Sequence, residues 1–180
     1  MFFLILFLSS FLSRSQTAFE ENFENKTNGF NLTSDGYVLT KNSNYTGTVT
    51  AVVNENGGNK YARMNAYVNA SAGMQITKSI TVEAGKTYIF EIESKGPFMR
   101  QLRVYDLNNV LLASSSDYKP DTTPEQNVWY KQEVSFYVSS EITSVKIAFH
   151  HYWSGTIDLD NLKVFEIERQ SEYYLSNSGD

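Results

Sequence analysis

The sequence predicts an all-β fold: an antiparallel β-sandwich of the jelly-roll, galactose-binding-domain-like kind. Short runs of alternating apolar and polar residues recur along the chain, each closed by Gly, Asn, Ser or Pro. No segment beyond the N-terminal apolar run has the three-to-four-residue apolar spacing of an amphipathic helix, which disfavours an α/β fold. The runs number about ten, enough for two packed sheets. A chain of 180 residues is long enough to bury one sizeable core.

The chain opens with MFFLILFLSSFLSRSQ, apolar from Phe2 to Leu8 and then rich in small residues. Ser13 and Ser15 stand where a signal-peptide cleavage wants small side chains, with Gln16 as the new N-terminus. No Lys or Arg precedes the apolar run, which is too short to span a bilayer. Residues 1–15 are therefore expected to be a signal peptide and the chain to be secreted. With no Cys it cannot be stapled by disulfides, so its core must hold it, with or without a metal. The net charge is −5, and loss of Arg14 with the leader makes it more acidic. A general nucleic-acid or anionic-membrane binder would need a basic field instead. Asn-x-Ser/Thr sites at Asn25, Asn31, Asn44 and Asn69 fit an Asn/Thr-rich surface.

Strands are expected in order at Phe19–Glu24, Tyr37–Thr40 and Gly47–Val53, then, after the turn NENGGN, at Lys60–Val68. Met74–Val82 and Thr87–Ser94 flank the tight connection Glu83–Lys86. Arg100–Asp106 follows Gly96-Pro97, and Asn108-Asn109 turns the chain into Val110–Ser114. Asp117–Asn127, with Pro120 and Pro124, is the longest loop. Trp129–Val138 and Ser144–His150 alternate cleanly. The closing strand lies in Gly155–Glu168, GTIDLDNLKVFEIE. There Ile157 and Leu159 share one parity and Leu162 and Val164 the other, so a β-bulge is expected at Asp160-Asn161.

Alternation separates two faces on each strand. The core should take Tyr88, Phe90 and Ile92; Leu102 and Val104; Val134, Phe136 and Val138; and Val145, Ile147 and Phe149. Trp129, at the head of its strand, is expected to pack. The opposite faces carry Glu91, Glu93, Gln101, Arg103, Tyr105, Lys131, Glu133, Lys146 and His150. Two readings of them stand: a solvated outer surface, or a sheet face that binds a polar ligand.

Ile80–Gly96, Asn127–His151 and Gly155–Ile167, in that order and spacing, resemble the corresponding segments of jelly-roll carbohydrate-binding modules of families 4, 9 and 22. The opening Glu21–Asn25 is similar to their N-terminal motif, whereas Phe30–Val53 matches poorly. The resemblance implies a non-catalytic module, over 16–168, that binds a polysaccharide and holds an attached enzyme near it. It also implies a structural Ca²⁺ between the opening and closing segments, on Glu24 and Asp160, which suits a cation that prefers oxygen ligands. Glu172–Asp180, EYYLSNSGD, resembles the entry to right-handed parallel β-helix enzymes. Residues 169–180 are then a linker or the start of a following domain, and the expected whole is a polysaccharide-degrading protein, a β-helix lyase being one form.

Sugar binding needs flat aromatic faces and polar groups at ring edges. The expected ligand residues are Trp153, Tyr152, Arg103, Tyr105, Gln101, His150 and Tyr67, with Tyr61 a further aromatic platform. Arg103 would matter most for an acidic glycan, because guanidinium pairs bidentately with carboxylate. His150 and His151 point to opposite faces of a strand and cannot share one metal. Glu91 and Glu93 share a face, but an exposed i, i+2 acid pair is ordinary in a sheet and is not read as a catalytic dyad. The alternative function is a structural or adhesive sandwich with a protein partner.

Overall fold

A computed structural model describes residues 16–41, 47–68, 73–97, 99–152 and 155–167, the side chains of 67 and 68 apart. The expected signal peptide, Trp153, the sites at Asn44 and Asn69, and the segment 169–180 lie outside the described residues. Among the described residues eleven strands form two antiparallel sheets. They are β1 (Thr17–Glu21), β2 (Tyr37–Lys41), β3 (Gly47–Asn56), β4 (Asn59–Val68), β5 (Gly73–Thr81), β6 (Thr87–Lys95), β7 (Arg100–Tyr105), β8 (Leu111–Ser114), β9 (Tyr130–Tyr137), β10 (Ser144–Tyr152) and β11 (Gly155–Ile167). One sheet runs β3-β4-β11-β6-β9, with β1 also paired to β11; the other runs β2-β5-β10-β7-β8.

The core lies between the sheets and follows the alternation. Phe90, Ile92, Leu102, Val104, Val138, Val145, Phe149 and Val164 are all essentially inaccessible to solvent. Burying such a side chain contributes roughly 1.5–3 kcal/mol. β3 and β4 form a hairpin over Gly57-Gly58, whose φ values of 62° and 87° give the doubly positive turn that matches strand twist.

Three details differ from expectation. β1 begins at Thr17 and stops at Glu21, because Phe23 turns out of the strand at φ 62°, its N–H bonded to the Glu21 carboxylate at 2.8 Å. The loop 117–127 contains a single helical turn, α1 (Thr123–Gln126), closed by a Thr122/Glu125 capping box and with Pro124 in its first turn. Trp129 packs, but outside the core: it meets Tyr61 edge-on at 5.8 Å and lies under Lys95 at 4.9 Å.

The bulge in β11 is present. Its pairing with β6 slips between Asp160 and Lys163, and Asn161 sits at φ 51°. Before the slip β11 pairs with β4; beyond it β1 takes over that side.

Candidate functional site

The outer face of the five-stranded sheet holds a depression of about 470 Å³ lined by residues of β2, β5, β7 and β10, among them Arg103, Tyr105, His150 and Tyr152. A second depression of about 330 Å³ adjoins it and shares Thr40, Gln75 and Tyr105. Register explains the gathering. Thr40, Gln75, His150 and Gln101 form one cross-strand row, and Val38, Thr77, Ala148 and Arg103 the next on the same face.

Arg103 is held at the centre. Its Nε donates to Gln101 Oε1 at 2.6 Å, Nη2 to the Tyr152 hydroxyl at 2.9 Å and Nη1 to the Tyr105 hydroxyl at 3.4 Å. Gln101 is fixed in turn by its Nε2, which donates to Ser115 O at 3.0 Å. A guanidinium carries five N–H groups, so one on each Nη remains for a ligand. The His150 ring stands edge-on to Tyr152 with centroids 4.3 Å apart. Burial, and then the nearby Arg103 charge, push His150 down to about 4, so it is a neutral imidazole at pH 7. Its buried Nδ1 has no hydrogen-bond partner among the described residues.

The fold therefore brings together Gln101, Arg103, Tyr105, His150 and Tyr152. It does not bring Tyr67 to them: β4 belongs to the other sheet, between β3 and β11. Tyr61 is on that sheet too, and its ring is already covered by Trp129, Arg63 and Lys95. Sequence reasoning missed Lys41, Gly73 and Gln75. Gln75 was visible as the polar alternate between Met74 and Ile76, and Gly73 as a glycine that opens a strand. Lys41 lies beyond the expected end of its strand.

Glu24 and Asp160 are bonded to consecutive residues of β4. Asn59 Nδ2 donates to Asp160 Oδ2 at 3.2 Å, and the Lys60 N–H donates to Glu24 Oε1 at 3.0 Å. Asp160 is buried and makes no ion pair among the described residues. Burial, with the charges of Glu93 and Glu24, raises its pKa against the lowering effect of bonds from Asn59 and the Asn161 N–H. The donor set is all oxygen and short of positive charge, which fits a hard cation. Lys60 Nζ donates to Glu24 O at 3.1 Å. Among the described residues no three His, Asp or Glu converge as a ready metal cage, so backbone and amide oxygens would have to complete one.

No protein-family model matches the chain, and no curated protein matches it. Solved structures do match its fold. An arabinose-bound α-L-arabinofuranosidase aligns at TM-score 0.60 and 12% identity, covering 81% of this chain and 25% of that one. The CBM22-1–GH10 modules of Clostridium thermocellum xylanase 10B, complexed with xylohexaose, align at 0.53 and 15%, covering 87% and 29%. A mannan-recognising carbohydrate-binding module of the CBM27 type aligns at 0.56 and 11%, covering 87% and 100%. Other neighbours are modules of the CBM4 and CBM61 types. The chain has the β-sandwich fold of carbohydrate-binding modules. It spans about a quarter of the two enzyme chains and the whole of the mannan-binding module.

Proposed function

We propose that this chain is a secreted, non-catalytic carbohydrate-binding module whose ligand lies in the groove of the five-stranded sheet. One observation carries the reading: Arg103, Tyr105, His150 and Tyr152 of β7 and β10 line one open depression, with Gln101 bracing Arg103, on a fold that neighbouring polysaccharide-binding modules share. Tyr152 and Tyr105 offer ring faces, while Arg103, Gln101 and the neutral His150 supply hydrogen bonds. Trp153, next along the chain, is proposed as a further platform. The module would hold an attached polysaccharide-degrading enzyme, of which a β-helix lyase is one form, against its substrate. Titration calorimetry over a panel of oligosaccharides tests this. Tyr152→Ala should weaken binding by at least about tenfold, the scale of one well-made contact, and leave the melting temperature nearly unchanged. Binding to no glycan would return the chain to the protein-adhesive reading.

We also propose that Glu24 and Asp160 hold a structural Ca²⁺ that ties the opening segment to the closing strand. A cation there would offset the clustered charge of Glu24, Glu93 and Asp160 and stabilise the native state by mass action. The melting temperature should rise in millimolar Ca²⁺ over EDTA, and Asp160→Asn should abolish the rise. Identical melting in both buffers would remove the metal.

A further inference from the structure

The two sheets differ in charge in a way that the net acidity of the chain conceals. No Asp or Glu occurs in β2, β5, β7, β8 or β10, while acids occur in β1, β3, β6, β9 and β11 of the other sheet. On the six-stranded sheet most cations meet an acid: Arg63 and Lys95 meet Asp158, Lys131 meets Glu91, Lys163 meets Glu20, and Lys86, just before β6, meets Glu166, whereas Lys60 donates to the Glu24 carbonyl. On the groove sheet Lys78 of β5 meets Asp35, but the cations that line the depressions, Lys41, Arg103 and Lys146, differ. Arg103 ends on Gln101, Tyr105 and Tyr152 oxygens. Lys146 Nζ donates to Leu107 O at 2.8 Å and Asn109 Oδ1 at 2.9 Å, and Lys41 Nζ to Gly47 O at 2.9 Å. All these acceptors are neutral, and none of the three cations makes an ion pair among the described residues. Among the described residues no acid lines either depression. The acid in the turn beside Lys146, Asp106, uses its Oδ1 to accept from its own loop, at Val110 N, 2.7 Å.

We propose that the groove takes an anionic glycan, one bearing carboxylate or sulfate groups; the proposal rests on the glycan-binding reading above. Uncompensated cations in a groove of an otherwise acidic protein disfavour folding slightly through their mutual repulsion, and they make sense when a ligand supplies the counter-charge. Arg103 is pre-oriented by neutral partners and keeps an N–H on each Nη for two acceptor oxygens. Lys146 lies diagonally across the sheet from Arg103, since it pairs with Tyr105 while Ala148 pairs with Arg103. Such diagonal neighbours stand roughly 7–8 Å apart on one face, so successive anionic groups of one polymer meet both.

Affinity electrophoresis of the full chain in gels containing polygalacturonate, dextran sulfate or neutral galactomannan tests the proposal. Retardation by polygalacturonate alone would assign a uronate, and by dextran sulfate alone a sulfated sugar; either supports the proposal. Arg103→Gln should reduce retention by at least about tenfold, Lys146→Gln by less, and raised salt should weaken it. Lys131→Gln, on the other sheet, should change nothing. Thermal melting of each variant separates lost binding from lost folding, and Lys146→Gln serves if Arg103→Gln does not fold. Equal or stronger retention by galactomannan overturns the anionic assignment and leaves glycan binding standing. Retention by none of the polymers overturns both. Anionic retention that neither groove variant alters places binding elsewhere and overturns the proposal.

Discussion

A Cβ added to Gly73 would lie 2.5 Å from Nε2 of His150, well inside van der Waals contact. The bare backbone there leaves room for the imidazole, which stands edge-on to Tyr152. The clash falls on the far end of a side chain rather than on backbone, so the ring can swing away at modest cost. Gly73→Ala should therefore disturb the site more than the fold. We expect a stability loss of about 1–3 kcal/mol, the usual range for small overpacking, together with a loss of ligand affinity. Chemical denaturation and calorimetry on the same variant separate the two effects. Unchanged affinity would mean that His150 does not shape the bound ligand's contacts. The residue scale also shows what local pattern leaves unread. Nothing near Arg103 in the sequence marks Tyr152 as its hydrogen-bond partner, since the two strands meet only through the sheet.

Among the elements, β11 carries the most organisation. Its bulge lets one strand pair first with β4 and then with β1, and it puts Asp160 against Asn59 and Asn161 against Glu93, where Asn161 Nδ2 donates at 2.8 Å. Asn161 tolerates φ 51° because a short polar side chain bears the left-handed region better than a branched one. Asn161→Val should destabilise the domain by about 1–3 kcal/mol from backbone strain, and Asn161→Gly by less, through the lost bond to Glu93. Urea melts of the pair check the order; a Val variant as stable as the Gly variant would refute the strain. This bulge was legible beforehand because Leu159 and Leu162 change parity, and the core faces of β6, β7, β9 and β10 were legible for the same period-two reason. Which strands share a sheet was not. Pairing is non-local, so Tyr61 and Tyr67 read like groove residues until β4 is seen beside β3 and β11. Trp129 packs as expected, and which face it covers was not legible, because an aromatic at the head of a strand can cover the outside of a sheet as well as its inside.

For the whole molecule, acid should act through a single strand. The chain has two histidines, both on β10. His151 faces inward and is inaccessible to solvent, opposite Arg100 in the register; His150 faces the groove. Burial, with the charges of His150 and Arg100, pushes His151 down to about 3, and His150 falls to about 4. The unfolded chain protonates both near 6.5. Between pH 6.5 and 4 the unfolded state thus binds protons that the native state refuses, and stability falls as pH falls. The slope is at most about 1.4 kcal/mol per pH unit for each histidine, and less for His150, which solvent partly reaches. Asp160, with its raised pKa, works the other way near the carboxylate range, because its protonation relieves a buried charge. Asp35, lowered by its bond to Lys26, adds stability that is lost only below the ordinary carboxylate pKa. The two histidines together thus make the native state less stable as pH falls through that interval. Melting temperatures measured from pH 7.5 to 4 should therefore drop steadily below pH 6.5. His151→Gln should flatten the drop even if it lowers the starting value. A melting temperature flat from pH 7 to 5 in the native chain would show that neither histidine is held neutral by the fold.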